Sequence, residues 1–146
     1  PGNDIMKGKK FDREDAAMKN TQRRAAILAE VSASQCPVSA EEIFQRLRQR
    51  FPTLALSTVY RNLERFAADG LIEREISPDG VSLYSEKDSH GHYLVCTRCH
   101  SRIRLHECPL SAMEEKLEAE TGFSIDRHQL TLYGKCPACK KQENSR

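Results

Sequence analysis

Two short cysteine steps carry the clearest chemistry in this sequence: Cys96-Thr-Arg-Cys99 and Cys136-Pro-Ala-Cys139. Each step puts two thiols on one tight turn, close enough together to bind a single ion. Two such turns supply four thiolates in a tetrahedron, the arrangement that Zn²⁺ favours in closed structural sites. The gap between the steps has room for a strand, a helix and another strand, so the ion would close a small domain. We therefore predict one structural zinc per chain, bound by Cys96, Cys99, Cys136 and Cys139.

Every histidine lies in the half of the chain that carries these cysteines: His90, His92, His100, His106 and His128. On an extended segment His90 and His92 would point the same way, because strand side chains alternate with a period of two. The two could therefore bind one ion, which His128 would close from another strand. His128 is in phase with Leu130 and Leu132, as a satisfied core histidine would also be, but the histidine pair favours the metal interpretation.

The bulk composition limits the class of protein. A chain of 146 residues forms one domain or two small ones. The apolar core of half of this chain would give only marginal stability, so a bound metal ion that stabilises the fold makes physical sense. The net charge of +2 does not by itself indicate a nucleic-acid binder. With no signal peptide and no long apolar run, we expect a cytoplasmic protein whose cysteines are ligands or reactive thiols. Three disulfides in a secreted protein is the weaker alternative.

Pro1 to Ile5 is interpreted as a cloning scar, with Met6 as the native start.

The first half of the chain predicts three helices followed by a hairpin. Apolar residues recur at helical spacing, a Ser39–Glu42 capping box opens the second helix, and a Pro-Asp-Gly turn separates the strands. The expected helices are Thr21–Ala33, a second from Ser39 that Pro52 stops, and Ser57–Gly70; the expected strands are Ile72–Ile76 and Val81–Tyr84. This order is typical of a winged helix-turn-helix, in which the third helix enters the DNA major groove and the hairpin touches the backbone.

The second half predicts a small sheet and one helix. Three segments alternate like strands, and an apolar stripe at helical spacing lies between the second and third of them. The expected strands are Tyr93–Cys96, Ser101–His106 and Gln129–Tyr133. The expected helix is Pro109–Glu120, with Leu110, Met113 and Leu117 facing inward and Gly122 as its C-terminal cap.

Five stretches of sequence together resemble the ferric uptake regulator (Fur) family. Val38–Phe44, Leu56–Leu63 and Asp69–Ile72 resemble its DNA-binding domain, and Tyr93–Cys99 and Leu132–Cys139 resemble its dimerisation domain. The match runs in order and with compatible spacing from Lys19 to Cys139. Two independent signatures therefore agree on one family.

The resemblance implies an α+β protein with an N-terminal winged helix-turn-helix domain and a C-terminal α/β dimerisation domain with a four-cysteine zinc site. The expected organisation is residues 1–18 as scar and N-terminal arm, 19–85 as DNA-binding domain, 86–92 as hinge, and 93–146 as dimerisation and metal-binding domain. It further implies a homodimeric transcriptional regulator, usually a repressor and not an enzyme, that binds palindromic operator DNA when loaded with a regulatory divalent metal.

The resemblance also implies a set of DNA contacts. Tyr60 and Arg61 would read bases, since an arginine can bond a guanine edge and an aromatic ring can pack on a thymine methyl. Arg65 would touch phosphate, and Lys19, just before the expected first helix, would reach into a minor groove. The alternative for Tyr60 is a half-buried core aromatic. The expected contact set is Lys19, Ser57, Thr58, Tyr60, Arg61 and Arg65.

The regulatory site typical of the family's iron sensors is not intact here. Two histidines are expected five and three residues before the first cysteine, where this chain has Gly91 and Tyr93. A carboxylate is expected eight residues after it, where Arg104 would repel a cation. The histidine expected just before the second helix is replaced by Pro37. An iron sensor of the commonest type, and a peroxide sensor based on iron oxidation, are both disfavoured.

A different site of the family survives in part. His90, His92 and His128 match the metal site at the domain junction, whose expected glutamate is Ser111 here; Glu107 and Cys108 lie nearby and are candidate substitutes. Imidazoles with an optional thiolate suit Zn²⁺ better than they suit hard ions, so we favour Zn²⁺ over Fe²⁺ and the zinc uptake regulator branch. Such an ion would fix the angle between the DNA-binding halves of a dimer.

Three alternatives remain. One is a repressor that responds to iron or another metal, because affinity order alone does not separate divalent ions at a histidine site. Another is a DNA-binding or adaptor protein whose zinc is only structural. The third is a zinc hydrolase of the deaminase type. It is disfavoured because the cysteine set leaves no open position for water and no His-x-Glu motif precedes it.

Overall fold

The computed structural model describes residues 4–145, with side chains described from Arg13 onward. The first residues of the expected cloning scar, Pro1 to Asn3, lie outside the described residues. The chain divides into two compact units between Asp88 and Ser89. The fold class is α+β: helices predominate in the first unit, and a three-stranded sheet organises the second. No helix of the described part of the chain is long and apolar enough to cross a membrane.

The first unit has the winged helix-turn-helix order. It comprises helices α1 (Asp4–Ala33), α2 (Ala40–Leu47) and α3 (Leu56–Ala68) and the antiparallel strands β1 (Ile72–Ile76) and β2 (Ser82–Glu86). The Ser39–Glu42 capping box is confirmed: the Ser39 hydroxyl accepts from the Glu42 N–H, and the Glu42 carboxylate accepts from the Ser39 N–H. Gly70, with φ at 73°, reverses the chain after α3.

One apolar core holds the first unit together. The α3 stripe is buried as expected, with Val59, Leu63 and Phe66 at most 1% exposed. Tyr84 of β2 is completely buried, exchanges two backbone hydrogen bonds with Val38, and donates its hydroxyl to Glu64. Because one face of α3 is fixed in this core, the opposite face is left to solvent.

Two helix boundaries in the first unit differ from expectation. The start of α1 was expected near Thr21, but the Thr21 hydroxyl donates to the Ala17 carbonyl inside a helix that is already running. Lysine, arginine, alanine and glutamate before Thr21 are good helix formers without an apolar stripe, so periodicity missed them. At the other boundary, α2 ends at Leu47 instead of running to Pro52, and Phe51 packs on the core from the following turn.

The second unit is a three-stranded sheet with two helices. Its elements are β3 (His92–Cys96), β4 (Arg102–Leu105), α4 (Ser111–Thr121), β5 (Leu130–Gly134) and α5 (Pro137–Asn144). The strand order is β4-β3-β5, with β3 antiparallel to β4 and parallel to β5. The α4 helix is the crossover that a parallel pair requires, and Gly122, at φ 73°, caps it as expected.

The second unit has almost no apolar core of its own. Its buried described residues are His92, Tyr93, Cys96 and Cys139. The expectation that Leu110, Met113 and Leu117 face inward is wrong: Met113 is 50% and Leu117 42% exposed, Leu110 is half-buried, and none of the α4 residues is buried by the described part of the chain. The apolar stripe of α4 is present, but the described residues of the chain do not cover it. The α5 helix was not expected from the sequence.

Candidate metal centres and DNA-contact helix

The structure brings the four cysteines of the two steps together. Cys96 ends β3, Cys99 follows on the next turn, and Cys136 and Cys139 begin α5. Their four sulfurs all lie within 4.8 Å of one another, and the Cys99 and Cys136 sulfurs are 3.7 Å apart. A tetrahedral ion with Zn–S bonds of about 2.3 Å holds neighbouring sulfurs about 3.8 Å apart. The residues present therefore fit a closed zinc site with four thiolate ligands.

Backbone geometry presets this cluster. The parallel register sets Cys96 opposite Gly134, two residues before Cys136. The Cys136 N–H then donates to the Cys96 sulfur at 3.3 Å, and the Cys139 N–H donates to the Cys136 sulfur at 3.5 Å. His100 adopts a left-handed φ of 59° where the first step turns back. The strands and the α5 N-terminus thus hold the sulfurs in place.

The thiols of this cluster differ in acidity. Hydrogen bonds from the backbone of Cys99, Cys136 and Arg98 lower the pKa of Cys96 to about 5, so its thiolate is ready to ligate at neutral pH. Burial, followed by hydrogen bonding with the other thiols, raises the pKa of Cys139 to about 12. The Cys139 proton therefore stays on the metal-free protein, and an ion must displace it to gain the fourth sulfur.

A second cluster contains His90, His92, Cys108 and His128. Their ligand atoms also lie within 4.8 Å of one another. The His92 Nε2 lies 3.0 Å from the His128 Nε2 and 3.2 Å from the Cys108 sulfur, and the latter two atoms are 3.3 Å apart. A tetrahedral Zn²⁺ with nitrogen and sulfur ligands needs neighbouring ligand atoms about 3.3–3.6 Å apart. The three distances lie at or slightly below this range, so the three imidazoles and one thiol that converge here supply an N3S ligand set for Zn²⁺.

Elements of the second unit position each of these ligands. His92 begins β3 and is buried, and His90 lies two residues earlier, at a turn closed by the Gly91 N–H on the Ser89 carbonyl, and is exposed. Cys108 lies between β4 and α4, and His128 lies two residues before β5. Burial, and then the neighbouring His128 and His90, lower the pKa of His92. His92 therefore stays neutral, the form in which an imidazole binds a metal.

The sequence prediction of this cluster was incomplete. Glu107 is exposed and is not among the converging residues, so it is not retained as a candidate ligand. Glu114 was missed, although its carboxylate pairs with the His128 Nδ1. A signal was present: Glu114 is one helical turn after Ser111, the position where the family has a glutamate, and residues three apart share a helix face.

The positions of the missing iron-type ligands are neighbours in the sheet. Tyr93 pairs with Arg104 across β3 and β4. The Tyr93 ring, which is 7% exposed, lies where any side chain at Gly91 would go, because a Cβ added there would overlap it. A tyrosine ring and a guanidinium therefore occupy this part of the second unit, and neither is a ligand for a hard divalent cation.

The α3 helix displays most of the expected DNA contacts. Ser57, Arg61 and Arg65 are exposed, whereas Thr58 and Tyr60 are half-buried. The Tyr60 hydroxyl donates to Glu41, which raises the pKa of Tyr60. Arg61 lies along the helix with its Nε 3.4 Å from the Ser57 carbonyl, and Arg65 is 3.9 Å from Asp69.

Lys19 has a different setting from the one expected. It lies inside α1 and not before it, and it pairs with Asp15 at 3.0 Å one helical turn away. Lys19 is therefore on a helix, where its ammonium is exposed and pairs with Asp15.

Comparison with known proteins places this geometry in a family. The model of the ferric uptake regulator family matches residues 15–133. The peroxide operon regulator of Bacillus subtilis is 30% identical over 131 residues, 90% of each chain. The zinc uptake regulation protein of Mycobacterium tuberculosis is 32% identical over 126 residues, 86% of this chain and 97% of that protein. The crystal structure of the Vibrio cholerae ferric uptake regulator matches with a TM-score of 0.67 and 30% identity, over 77% of this chain and 88% of that one. The names of these relatives refer to different signals, namely peroxide, zinc and ferric iron.

Proposed function

Because the chain belongs to the ferric uptake regulator family, whose members are dimeric, metal-dependent transcription regulators and not enzymes, we propose that it is a zinc-responsive repressor. One Zn²⁺ at the four cysteines is structural and permanent. A second Zn²⁺ at His90, His92, Cys108 and His128 is the signal, and its binding permits the dimer to bind operator DNA. The assignment places the protein beside the zinc uptake regulation protein among its relatives.

The observation that favours zinc is the ligand set of three imidazole nitrogens and one sulfur. A thiolate and three imidazoles are borderline-to-soft ligands, and a tetrahedron of them satisfies Zn²⁺ completely. Fe²⁺ and Mn²⁺ are better served by carboxylates, and none is among the four converging ligands. The Tyr93 ring over Gly91 and the cation at Arg104 further disfavour an iron-type site in this chain.

A second copy of the chain is the proposed partner of the exposed apolar surface on the second unit. Leu94 pairs with Ile103 on β4 and with Leu132 on β5, so the three side chains form one row across the sheet. They are 41%, 58% and 47% exposed, respectively. Met113 and Leu117 add an uncovered stripe on α4. Because the family is dimeric, the occupant that fits this surface is an identical chain.

The proposed switch is a linkage between metal and DNA. His90 and His92 follow within a few residues of the end of β2 in the winged-helix unit. An ion that ties them to Cys108 and His128 restricts the segment that joins the two units. In a dimer, this restriction favours one spacing of the two α3 helices, which must meet half-sites a helical turn of DNA apart. Zinc shifts the equilibrium only as far as it binds the DNA-competent form more tightly.

A metal titration tests the proposed function. We expect the purified dimer to retain one Zn²⁺ per chain and to bind operator DNA only after a second Zn²⁺ is added. Operator fragments would be selected from random DNA and binding followed by fluorescence anisotropy, with Fe²⁺, Mn²⁺ and Ni²⁺ as comparisons. If operator binding required a lower free concentration of Fe²⁺ than of Zn²⁺, the protein would be an iron-type repressor. If operator binding did not depend on the second ion, the zinc of this protein would be only structural.

Arg61 is the contact through which α3 is expected to read sequence. We predict that Arg61→Ala weakens operator binding by about 1–3 kcal/mol while binding to unrelated DNA changes little, because a base contact is lost and not only a phosphate contact. Arg48→Ala, which removes an exposed arginine at the end of α2, is the matched control. Equal losses on operator and unrelated DNA would assign Arg61 to the phosphate backbone.

A further inference from the structure

We propose that Glu114 is a positioning residue of the second metal site, where it orients His128 toward the ion. The inference rests on the zinc site of the proposed function but not on its coupling to DNA. Glu114 lies in the first turn of α4, and its carboxylate accepts a hydrogen bond from the Nδ1–H of His128. Its side chain is only 25% exposed, so water competes weakly for this contact.

The two nitrogens of His128 face different neighbours. Nε2 faces the cluster, 3.0 Å from the His92 Nε2 and 3.3 Å from the Cys108 sulfur, while Nδ1 faces Glu114. A neutral imidazole carries one N–H, and a carboxylate at Nδ1 fixes it there. The Nε2 atom then presents a lone pair, which is aimed at the place where the other ligands converge and can bind an ion there. Glu114 thus selects both the tautomer and the ring orientation that binding requires.

His92 makes a useful contrast within the same cluster. Its Nδ1 is buried and has no hydrogen-bond partner among the described residues. The ring of His92 is positioned by its place in β3 and by burial, whereas the ring of His128 lies outside a strand. His128 is therefore the ligand whose orientation depends on a polar neighbour, and Glu114 supplies that neighbour.

Charge gives Glu114 a second contribution. A divalent ion with one thiolate and three neutral imidazoles leaves a net positive charge in a partly buried site. The Glu114 carboxylate, one imidazole away, offsets that charge and makes His128 a more basic ligand. Hydrogen bonding and charge can be separated, because a glutamine keeps an oxygen that accepts from Nδ1–H but carries no charge.

The test compares three variants of the full-length dimer with its structural zinc retained. We expect Glu114→Ala to weaken binding of the second Zn²⁺ by about 10–100-fold, the usual cost of losing such a neighbour, and Glu114→Gln to weaken it less. Glu115→Ala, at the next and exposed position of α4, is the matched control and should bind as the wild type does. Affinity is measured by competition with a chromogenic zinc chelator, and thermal unfolding of the one-zinc form checks the fold.

A DNA measurement separates positioning from a general structural effect. We expect the zinc concentration at half-maximal operator binding to rise in Glu114→Ala, while operator affinity at saturating zinc equals that of the wild type. The inference would be overturned if Glu114→Ala competed with the chelator for zinc as well as the wild type does. It would also be overturned if the maximum level of operator binding fell while the zinc concentration at half-maximal binding stayed the same. If wild-type DNA binding ignores the second zinc, the proposed repressor function fails, yet chelator competition still decides the role of Glu114. A wild-type protein that binds no second zinc overturns both.

Discussion

Cys96→Ser is expected to unfold the second unit and to remove the structural zinc. The Cys96 sulfur accepts the Cys136 N–H, so it joins the two cysteine steps even before an ion binds. Structural zinc sites contribute about 10–16 kcal/mol of apparent binding free energy, as much as or more than the about 5–15 kcal/mol that stabilises a typical domain. A unit whose buried described residues are His92, Tyr93, Cys96 and Cys139 has too little apolar core to compensate.

The measurement is zinc per chain by elemental analysis, together with circular dichroism and size-exclusion chromatography. We expect loss of zinc, of the sheet signal and of the dimer. Cys36→Ser is the matched control, since Cys36 belongs to the first unit and to neither cluster. A folded, zinc-free Cys96→Ser dimer would refute the structural assignment.

The replacement of His90 and His92 together by alanine is expected to abolish zinc-dependent operator binding and to leave the dimer folded. The double variant loses two of the four converging ligands, and coupling between two such sites is typically about 5–150-fold in affinity. We expect operator binding in zinc to fall to the level of the chelated wild type. Elemental analysis should still find the zinc of the cysteine cluster.

Two controls protect this prediction from a folding artefact. His92 is 3% exposed, so its removal leaves a small cavity, whereas His90 is exposed and His90→Ala should weaken the response without disturbing packing. His106→Ala removes an exposed histidine of the same unit that lies outside both clusters and should change nothing. A double variant that still responds to zinc would show that these residues are not the sensor.

Local patterns predicted much of the fold, because they depend on neighbours in sequence. The Ser39–Glu42 capping box, the buried stripe of α3 and the β1 strand were predicted with nearly their observed bounds. The α1 start was not, since helix formers without an apolar stripe leave no periodic signal. The inward face assigned to α4 was wrong for a different reason: apolar spacing identifies a face that must be covered but not which chain covers it.

In the candidate sites too, some features could be predicted from local sequence and others depend on the folded chain. The cysteine steps could be grouped from spacing alone, because each pair is local and two pairs complete a tetrahedron. The choice between Glu107 and Cys108 could not be made, since adjacent residues after β4 point in different directions and the sequence does not say which. Glu114 acts through the ring of His128, and a contact between side chains on α4 and on the approach to β5 requires the folded crossover.

The position of the Tyr93 ring beside Gly91 has a consequence for which metal this part of the chain could be changed to bind. A histidine introduced at position 91 would meet the Tyr93 ring, so the ring would have to move to another rotamer or be replaced. Replacing Tyr93 first would open the space, but at the cost of one of the few large side chains that the second unit buries. An iron-type ligand pair at positions 91 and 93 therefore requires the two positions to change together, because a side chain at 91 displaces the Tyr93 ring and replacing Tyr93 removes buried surface.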